Sequence, residues 1–251
     1  MRIVNIEVLR DVLTKREAPS KQIIGSGILL QNTKLVLYGG FKTGKSTLIQ
    51  YIAMCMAGGL PLFGSDLFKT VVSKVYYIQL EMPIIPFHKR LRNSTLSQVK
   101  EVQDNLFLTT EFWLKLDTEE GRYELEDAVK NIRPDVVIID PLYKCTLGGE
   151  EYKDLSAIYD HLDVMMNEQK FSLIFTAQGR KTQIIPTGTI DLGDQELRGS
   201  TATGGWTDSI IGLRRLEGTR RKLTGTLRHG TTDTFELTIE YDPTTSLYCI
   251  V

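Results

Sequence analysis

Gly39-Gly40-Phe41-Lys42-Thr43-Gly44-Lys45-Ser46 sets two glycines, with four residues between them, directly before a lysine and a serine. That spacing is the phosphate-binding loop, or P-loop, of nucleotide-triphosphate proteins. The glycines let backbone N–H groups turn inward around phosphate oxygens, and a following helix N-terminus adds positive potential. Lys45 can then reach the β- and γ-phosphates, and the Ser46 hydroxyl can ligate Mg²⁺. The run from Gly39 to Thr47 is the expected contact with ATP and Mg²⁺. The bland alternative is a chance glycine turn with a solvated lysine. Both flanks speak against it, since Lys34-Leu35-Val36-Leu37-Tyr38 reads as a buried strand and Thr47 to Met54 as a helix.

Three further groups have the chemistry that such a loop needs. Val136-Val137-Ile138-Ile139-Asp140 is an apolar run ending in a carboxylate. In P-loop proteins such an Asp holds Mg²⁺ at the strand's C-terminal edge; a strand-end cap is the plain alternative. Val75 to Leu80 is followed by Glu81, at the edge of a neighbouring strand. A carboxylate there can orient and deprotonate the water that attacks the γ-phosphate, or be a solvated acid. Phe175-Thr176-Ala177-Gln178-Gly179-Arg180 closes another strand with an amide. Gln178 can contact the γ-phosphate or the attacking water, or be a turn residue.

These groups need a scaffold that brings strand ends together. Leu106-Phe107-Leu108 reads as a third, shorter strand. Leu125, Ala128, Val129 and Ile132 recur at helical spacing within Tyr123 to Ile132, which Pro134 terminates. Val136 to Ile139 is β-branched throughout and reads as buried on both faces. Tyr152 to Gln169 is a long helix, and Phe171 to Phe175 another strand. Strands alternating with helices imply an α/β fold, a mostly parallel central sheet with helices on both faces. From Ser209 onward the pattern changes to short β-like runs: Ile210 to Arg214, Lys222 to Arg228, Phe235 to Tyr241 and Ser246 to Val251. They imply a C-terminal antiparallel β-hairpin extension of one sheet edge. Ahead of all this, Ile6 to Thr14 reads as a short amphipathic helix and Lys15 to Lys21 as a linker. Residues 1–22 are thus an N-terminal arm, and 23–251 one ATPase domain.

Composition narrows the class. The chain has 251 residues, 41% hydrophobic and 24% charged, with a net charge of −1. That suits one soluble α/β domain and excludes a global basic field, so nucleic acid would have to meet local patches or loops gathered in a ring. Cys55, Cys145 and Cys249 are odd in number and far apart, which suggests neither a zinc site nor a disulfide framework. Reduced, buried thiols in a cytoplasmic protein are the expectation. No apolar run approaches transmembrane length, and charged residues at the N-terminus do not suit a signal peptide.

The ordered motifs resemble a known family. Gln79-Leu80-Glu81-Met82-Pro83, with Arg90 beyond it, looks like the Ser-Leu-Glu-Met-Pro…Arg segment of DnaB-type replicative helicases. Thr176 to Arg180 is similar to their Leu-Ser-Gln-Leu-Asn. Leu197-Arg198-Gly199-Ser200, with Trp206 to Ile211, is similar to their Leu-Arg-Glu-Ser…Ala-Asp stretch. Leu227-Arg228-His229-Gly230 resembles their Gln-Arg-Asn-Gly. The same blocks resemble compact RepA-type plasmid helicases, whose Arg-Gly-Ser-Ser matches Arg198-Gly199-Ser200-Thr201. The resemblance covers about residues 23–241 and implies a RecA-like P-loop ATPase core. It also implies a ring, hexameric in the helicases, or a filament, with ATP between subunits. Glu81 then becomes the base and Gln178 the γ-phosphate sensor. The chain departs from the DnaB pattern in lacking the length for a primase-binding N-terminal domain. It also carries Thr226 where that pattern has a lysine.

Arg198 and Arg228 are the candidate fingers reaching a neighbour's ATP; each can equally be a solvated loop charge. Arg180-Lys181 opens a loop to Glu196 that in RecA-like proteins faces the channel and touches DNA, though Asp191, Asp194 and Glu196 mix its charge. Arg214, Arg215, Arg220, Arg221 and Lys222 form a basic run that a solvated hairpin also explains. The expected function is an ATP-driven, ring-forming helicase on single-stranded DNA. A RecA-like ATPase that never unwinds, such as a recombination mediator or a phage or plasmid assembly factor, is the alternative. A nucleotide-gated scaffold is the third, disfavoured because a scaffold needs no Glu81.

Overall fold

Val136–Asp140 is buried along its whole length, and every strand around it is built to match. In the computed structural model, which describes residues 7–15, 20–109, 113–148, 152–179, 184–185, 188–189 and 201–251, this strand lies inside a nine-stranded sheet. The elements in chain order are α1 (Leu9–Thr14), β1 (Gln22–Ile24), β2 (Leu29–Leu30), β3 (Lys34–Gly39), α2 (Lys45–Gly58), β4 (Val75–Gln79), α3 (Ile84–Asn93), α4 (Lys100–Asn105) and β5 (Leu106–Thr109). Then come α5 (Glu119–Ile132), β6 (Val136–Asp140), α6 (Tyr152–Gln169), β7 (Ser172–Gln178), β8 (Ile184–Ile185) and β9 (Gly188–Thr189). The chain ends with α7 (Thr201–Trp206), β10 (Ser209–Arg215), β11 (Arg220–Leu227), β12 (Thr234–Asp242) and β13 (Leu247–Ile250).

The large sheet runs β13-β12-β11-β10-β3-β7-β6-β4-β5. From β5 to β10 all neighbours are parallel. From β10 to β13 all are antiparallel, as the C-terminal alternation predicts. Two apolar layers cover the sheet. On one face α2 contributes an unbroken buried run from Leu48 to Ala57, joined by Phe87 of α3 and Val102 of α4. A helix apolar on every side has to be buried on every side. On the other face α5 and α6 pack through Leu125, Val129, Ile158 and Leu162. Thr118 caps α5 by accepting the Gly121 N–H at 3.2 Å, and the helix stops at Arg133, in the left-handed region just before Pro134.

Registers bring the carboxyl ends of the strands level. Gly39 of β3 lies opposite Gln178 of β7, and Gln79 of β4 opposite Asp140 of β6. In open α/β sheets that edge is where ligands bind. Glycine is required at Gly39, where a Cβ would stand 2.4 Å from the Leu213 carbonyl oxygen of β10. Three expectations are adjusted. The amphipathic N-terminal helix is shorter, Leu9–Thr14, and buries no residue. Helices α3 and α4 fill a stretch that the sequence pattern leaves unassigned. Cys55 and Cys145 are buried, but Cys249 is exposed, since it sits on edge strand β13. Among the described residues no helix is long and apolar enough to cross a membrane.

Candidate nucleotide site

Gly44, at φ +100°, turns the chain from the loop into α2, a conformation that a Cβ would strain. Lys45 folds back over the loop, donating to the Gly39 and Gly40 carbonyls at 2.8 and 2.9 Å. Phe41, Lys42, Thr43, Gly44, Ser46 and Thr47 line the same cleft as Lys45, which measures about 270 Å³. Phe41 stands 79% exposed at its mouth.

The three carboxyl and amide candidates from separate strands line this cleft too. They are Glu81 after β4, Asp140 at the end of β6 and Gln178 at the end of β7. Asp140 is only 2% exposed. Its two oxygens accept from the Thr176 hydroxyl at 2.6 Å and the Tyr77 hydroxyl at 2.8 Å. Burial pushes the Asp140 carboxyl above the usual carboxylate range. Hydrogen bonds from Thr176, Tyr77 and Ser46 oppose that push, and the nearby charge of Glu81 adds to it. A buried carboxylate beside a second acid is a strained arrangement that a bound cation would relieve.

The residues fit Mg²⁺ on that ground. Ser46 and Asp140 line the same cleft and offer two hard oxygens there. Among the described residues there is no cluster of three or more His, Cys, Asp or Glu that could hold a metal. Mg²⁺ needs no such cage, because phosphates and water complete its octahedron.

Sequence reasoning passes over several residues that the fold adds. The Tyr143 hydroxyl donates to Glu81 Oε1 at 2.6 Å, and Gln178 Nε2 lies 3.5 Å from the same hydroxyl. Its only signal is its place three residues after Asp140. Thr176 and Tyr77 lie on strands already assigned, and their inward hydroxyls follow from the strand register. Arg221 of β11 donates from Nε to the Thr43 carbonyl at 2.8 Å, a contact 178 residues apart in sequence. No local pattern announces it. Arg90 of α3, carried only by the resemblance, also lines the cleft.

The candidate fingers are placed differently. Arg198 lies outside the described residues, as do Arg180 and most of the loop to Glu196. Arg228 follows β11 at the opposite edge of the sheet from the P-loop. There its guanidinium meets Asp208 Oδ1 at 3.3 Å and the Gly205 carbonyl at 3.5 Å. Asp208 Oδ2 accepts the backbone N–H of Lys34, the first residue of β3, at 2.9 Å. Lys34 and Gly39 lie five steps apart along the strand, about 17 Å at strand rise. Arg228 therefore does not belong to the cleft of this chain.

A family model described as an AAA domain matches residues 4–183, a span that includes the P-loop, Glu81, Asp140 and Gln178. The chain belongs to the AAA domain family. No curated protein matches it significantly. Among solved structures this AAA domain is similar to the ATPase domain of G40P, with a TM-score of 0.68 at 16% identity, covering 97% of each chain. It is similar to a KaiC-like protein from Pyrococcus horikoshii, with a TM-score of 0.60 at 15% identity, over 93% of this chain and all of that one. It is also similar to a DnaB-like replicative helicase, with a TM-score of 0.63 at 14% identity, over 87% of this chain and 57% of the other. These likenesses establish the fold, a RecA-like ATPase core with C-terminal antiparallel strands.

Proposed function

We propose that this AAA domain protein hydrolyses ATP as a ring-forming motor of the DnaB type, translocating on single-stranded DNA. The observation that carries the reading is convergence. Lys45, Ser46, Glu81, Asp140 and Gln178 come from four separate stretches of chain and line one cleft. A protein that only bound nucleotide would need the first two, not a carboxylate at the position of Glu81. In this reading Lys45 holds the β- and γ-phosphates. Glu81 takes a proton from water as the water oxygen bonds to the γ-phosphorus and the bond to the β–γ bridging oxygen breaks, releasing ADP and phosphate. Ser46 and Asp140 would hold Mg²⁺, which when bound would neutralise charge on the phosphates. Arg228 or Arg198 of a neighbouring subunit adds a guanidinium to the transferring group.

The chain divides, on this reading, into an arm at residues 1–22 and the ATPase domain at 23–251. Support for the helicase comes from the ordered DnaB-type motifs and from the likeness to the G40P ATPase domain and the DnaB-like helicase. The alternative, a RecA-like ATPase that does not unwind, is favoured by the comparable likeness to the KaiC-like protein. DNA-stimulated hydrolysis measured beside unwinding of a forked duplex separates them. Stimulation with unwinding is the expected result. Stimulation without unwinding selects the alternative, and ATP binding with neither activity selects a scaffold.

A further inference from the structure

Glu81 leaves the end of β4 in an exposed bend. Its backbone N–H is held by Gln79 Oε1 at 3.2 Å. A base in such a place acts well only if its carboxylate is oriented, because a misplaced catalytic group loses most of its effect. The orienting contact comes from Tyr143, whose hydroxyl donates to Glu81 Oε1 at 2.6 Å. An O–H donor to a carboxylate at that distance is in the charge-assisted range, about twice as strong as a neutral bond.

Tyr143 is itself firmly seated. It lies in the single 3-10 turn Leu142–Cys145 that follows Asp140, and the turn's two ends are buried. Lys115 Nζ donates to the carbonyls of Lys144 and Thr146 at 2.7 and 2.9 Å, and the Leu116 N–H to the Cys145 carbonyl at 2.7 Å. The turn is therefore clamped from a second segment. On its other side the hydroxyl lies 3.5 Å from Gln178 Nε2, which donates to it. One phenol thus touches both the group assigned to proton removal and the group assigned to sensing the γ-phosphate.

We propose that Tyr143 is the positioning residue of the hydrolytic base. Its hydroxyl occupies Glu81 Oε1 and leaves Oε2 to receive the proton of the attacking water. Through the same oxygen it links Glu81 to Gln178, so a shift of the sensor amide is felt at the base. The inference rests on the reading of Glu81 as the base.

The test is a double-mutant cycle of Tyr143→Phe and Glu81→Gln, read by steady-state and single-turnover hydrolysis, with ATP·Mg²⁺ binding and thermal melting beside them. Phenylalanine keeps the ring and removes only the hydroxyl. The expected result is a kcat about ten- to a hundredfold lower, with KM, nucleotide affinity and melting temperature unchanged. In the Glu81→Gln background the same substitution should cost nothing further, because the carboxylate to be positioned is gone. Full kcat in Tyr143→Phe overturns the proposal. So does an equal loss in both backgrounds, or a loss matched by a lower melting temperature, since either marks a merely structural tyrosine. Wild-type turnover in Glu81→Gln alone gives a different signature, which removes the base itself and this inference with it.

Discussion

The two edges of the parallel sheet are joined by the same strands but built on opposite terms. At the carboxyl edge, Glu81 and Gln178 stay exposed, but the groups beneath them are drawn inward. Asp140 is buried, its oxygens are hydrogen-bonded, and Lys45 is folded onto its own loop. At the amino edge, Arg228, His229 and Asp208 meet near the surface, with the Arg228 side chain 54% exposed. Asp208 keeps His229 and the Lys34 N–H as partners if Arg228 leaves it, whereas disturbing Asp140 leaves a buried carboxyl without hydrogen bonds. The difference teaches which edge is committed within the chain and which holds a cation that the proposed assembly could offer to a neighbour.

The comparison can be broken most sharply at Lys45. Lys45→Ala is expected to abolish hydrolysis while thermal melting stays near wild type, since the ammonium donates to the Gly39 and Gly40 carbonyls of its own loop. Near wild-type turnover would mean that the carboxyl edge is not a nucleotide site. Glu81→Gln should bind ATP·Mg²⁺ and hydrolyse it about a hundred- to ten-thousandfold more slowly. Asp140→Asn should act more mildly and differently, raising the Mg²⁺ concentration needed for half-maximal rate. If both substitutions gave equal, mild losses, Glu81 would be no more than a strand-end acid.

The smallest effect belongs to neither edge. His161 of α6 lies 3.8 Å from Glu126 of α5. Burial holds its pKa below the usual 6.5, against the pull of Glu126. The folded protein thus binds this proton more weakly than the unfolded chain. Its contribution is present above about pH 6.5 and is lost as the pH falls from there through the lower folded value. Melting temperature should fall on acidification below pH 6.5, and His161→Gln should flatten part of that slope without altering kcat at neutral pH. An unchanged slope would remove His161 from the account.

Much of the carboxyl edge was legible because its signals are local. The glycine loop, the apolar strand before Asp140 and the strand before Glu81 each announce themselves within ten residues, and parallel topology then brings their ends together. The C-terminal hairpins were legible by alternation. Tyr143 and Arg221 were not, because each matters through a partner reached only after folding, Glu81 for one and the Thr43 carbonyl for the other. Helices α3 and α4 escaped because they are short and follow Pro83 and Val99 without a side-chain cap. Cys249 departs from the expected burial because cysteine is usually buried, and nothing local tells an edge strand from a central one. The amino-edge placement of Arg228 was likewise invisible, since it follows from the register of β10 on β3.

The central claim is that the carboxyl edge of one subunit is completed by the amino edge of the next. It is tested most directly by mixing Arg228→Ala and Lys45→Ala subunits in one assembly and measuring single-turnover ATP hydrolysis. Each variant alone should be inactive. In the mixture some interfaces join an intact P-loop to an intact Arg228, and those should recover activity. Full activity of Arg228→Ala alone, or a mixture as inactive as its parts, would contradict the claim.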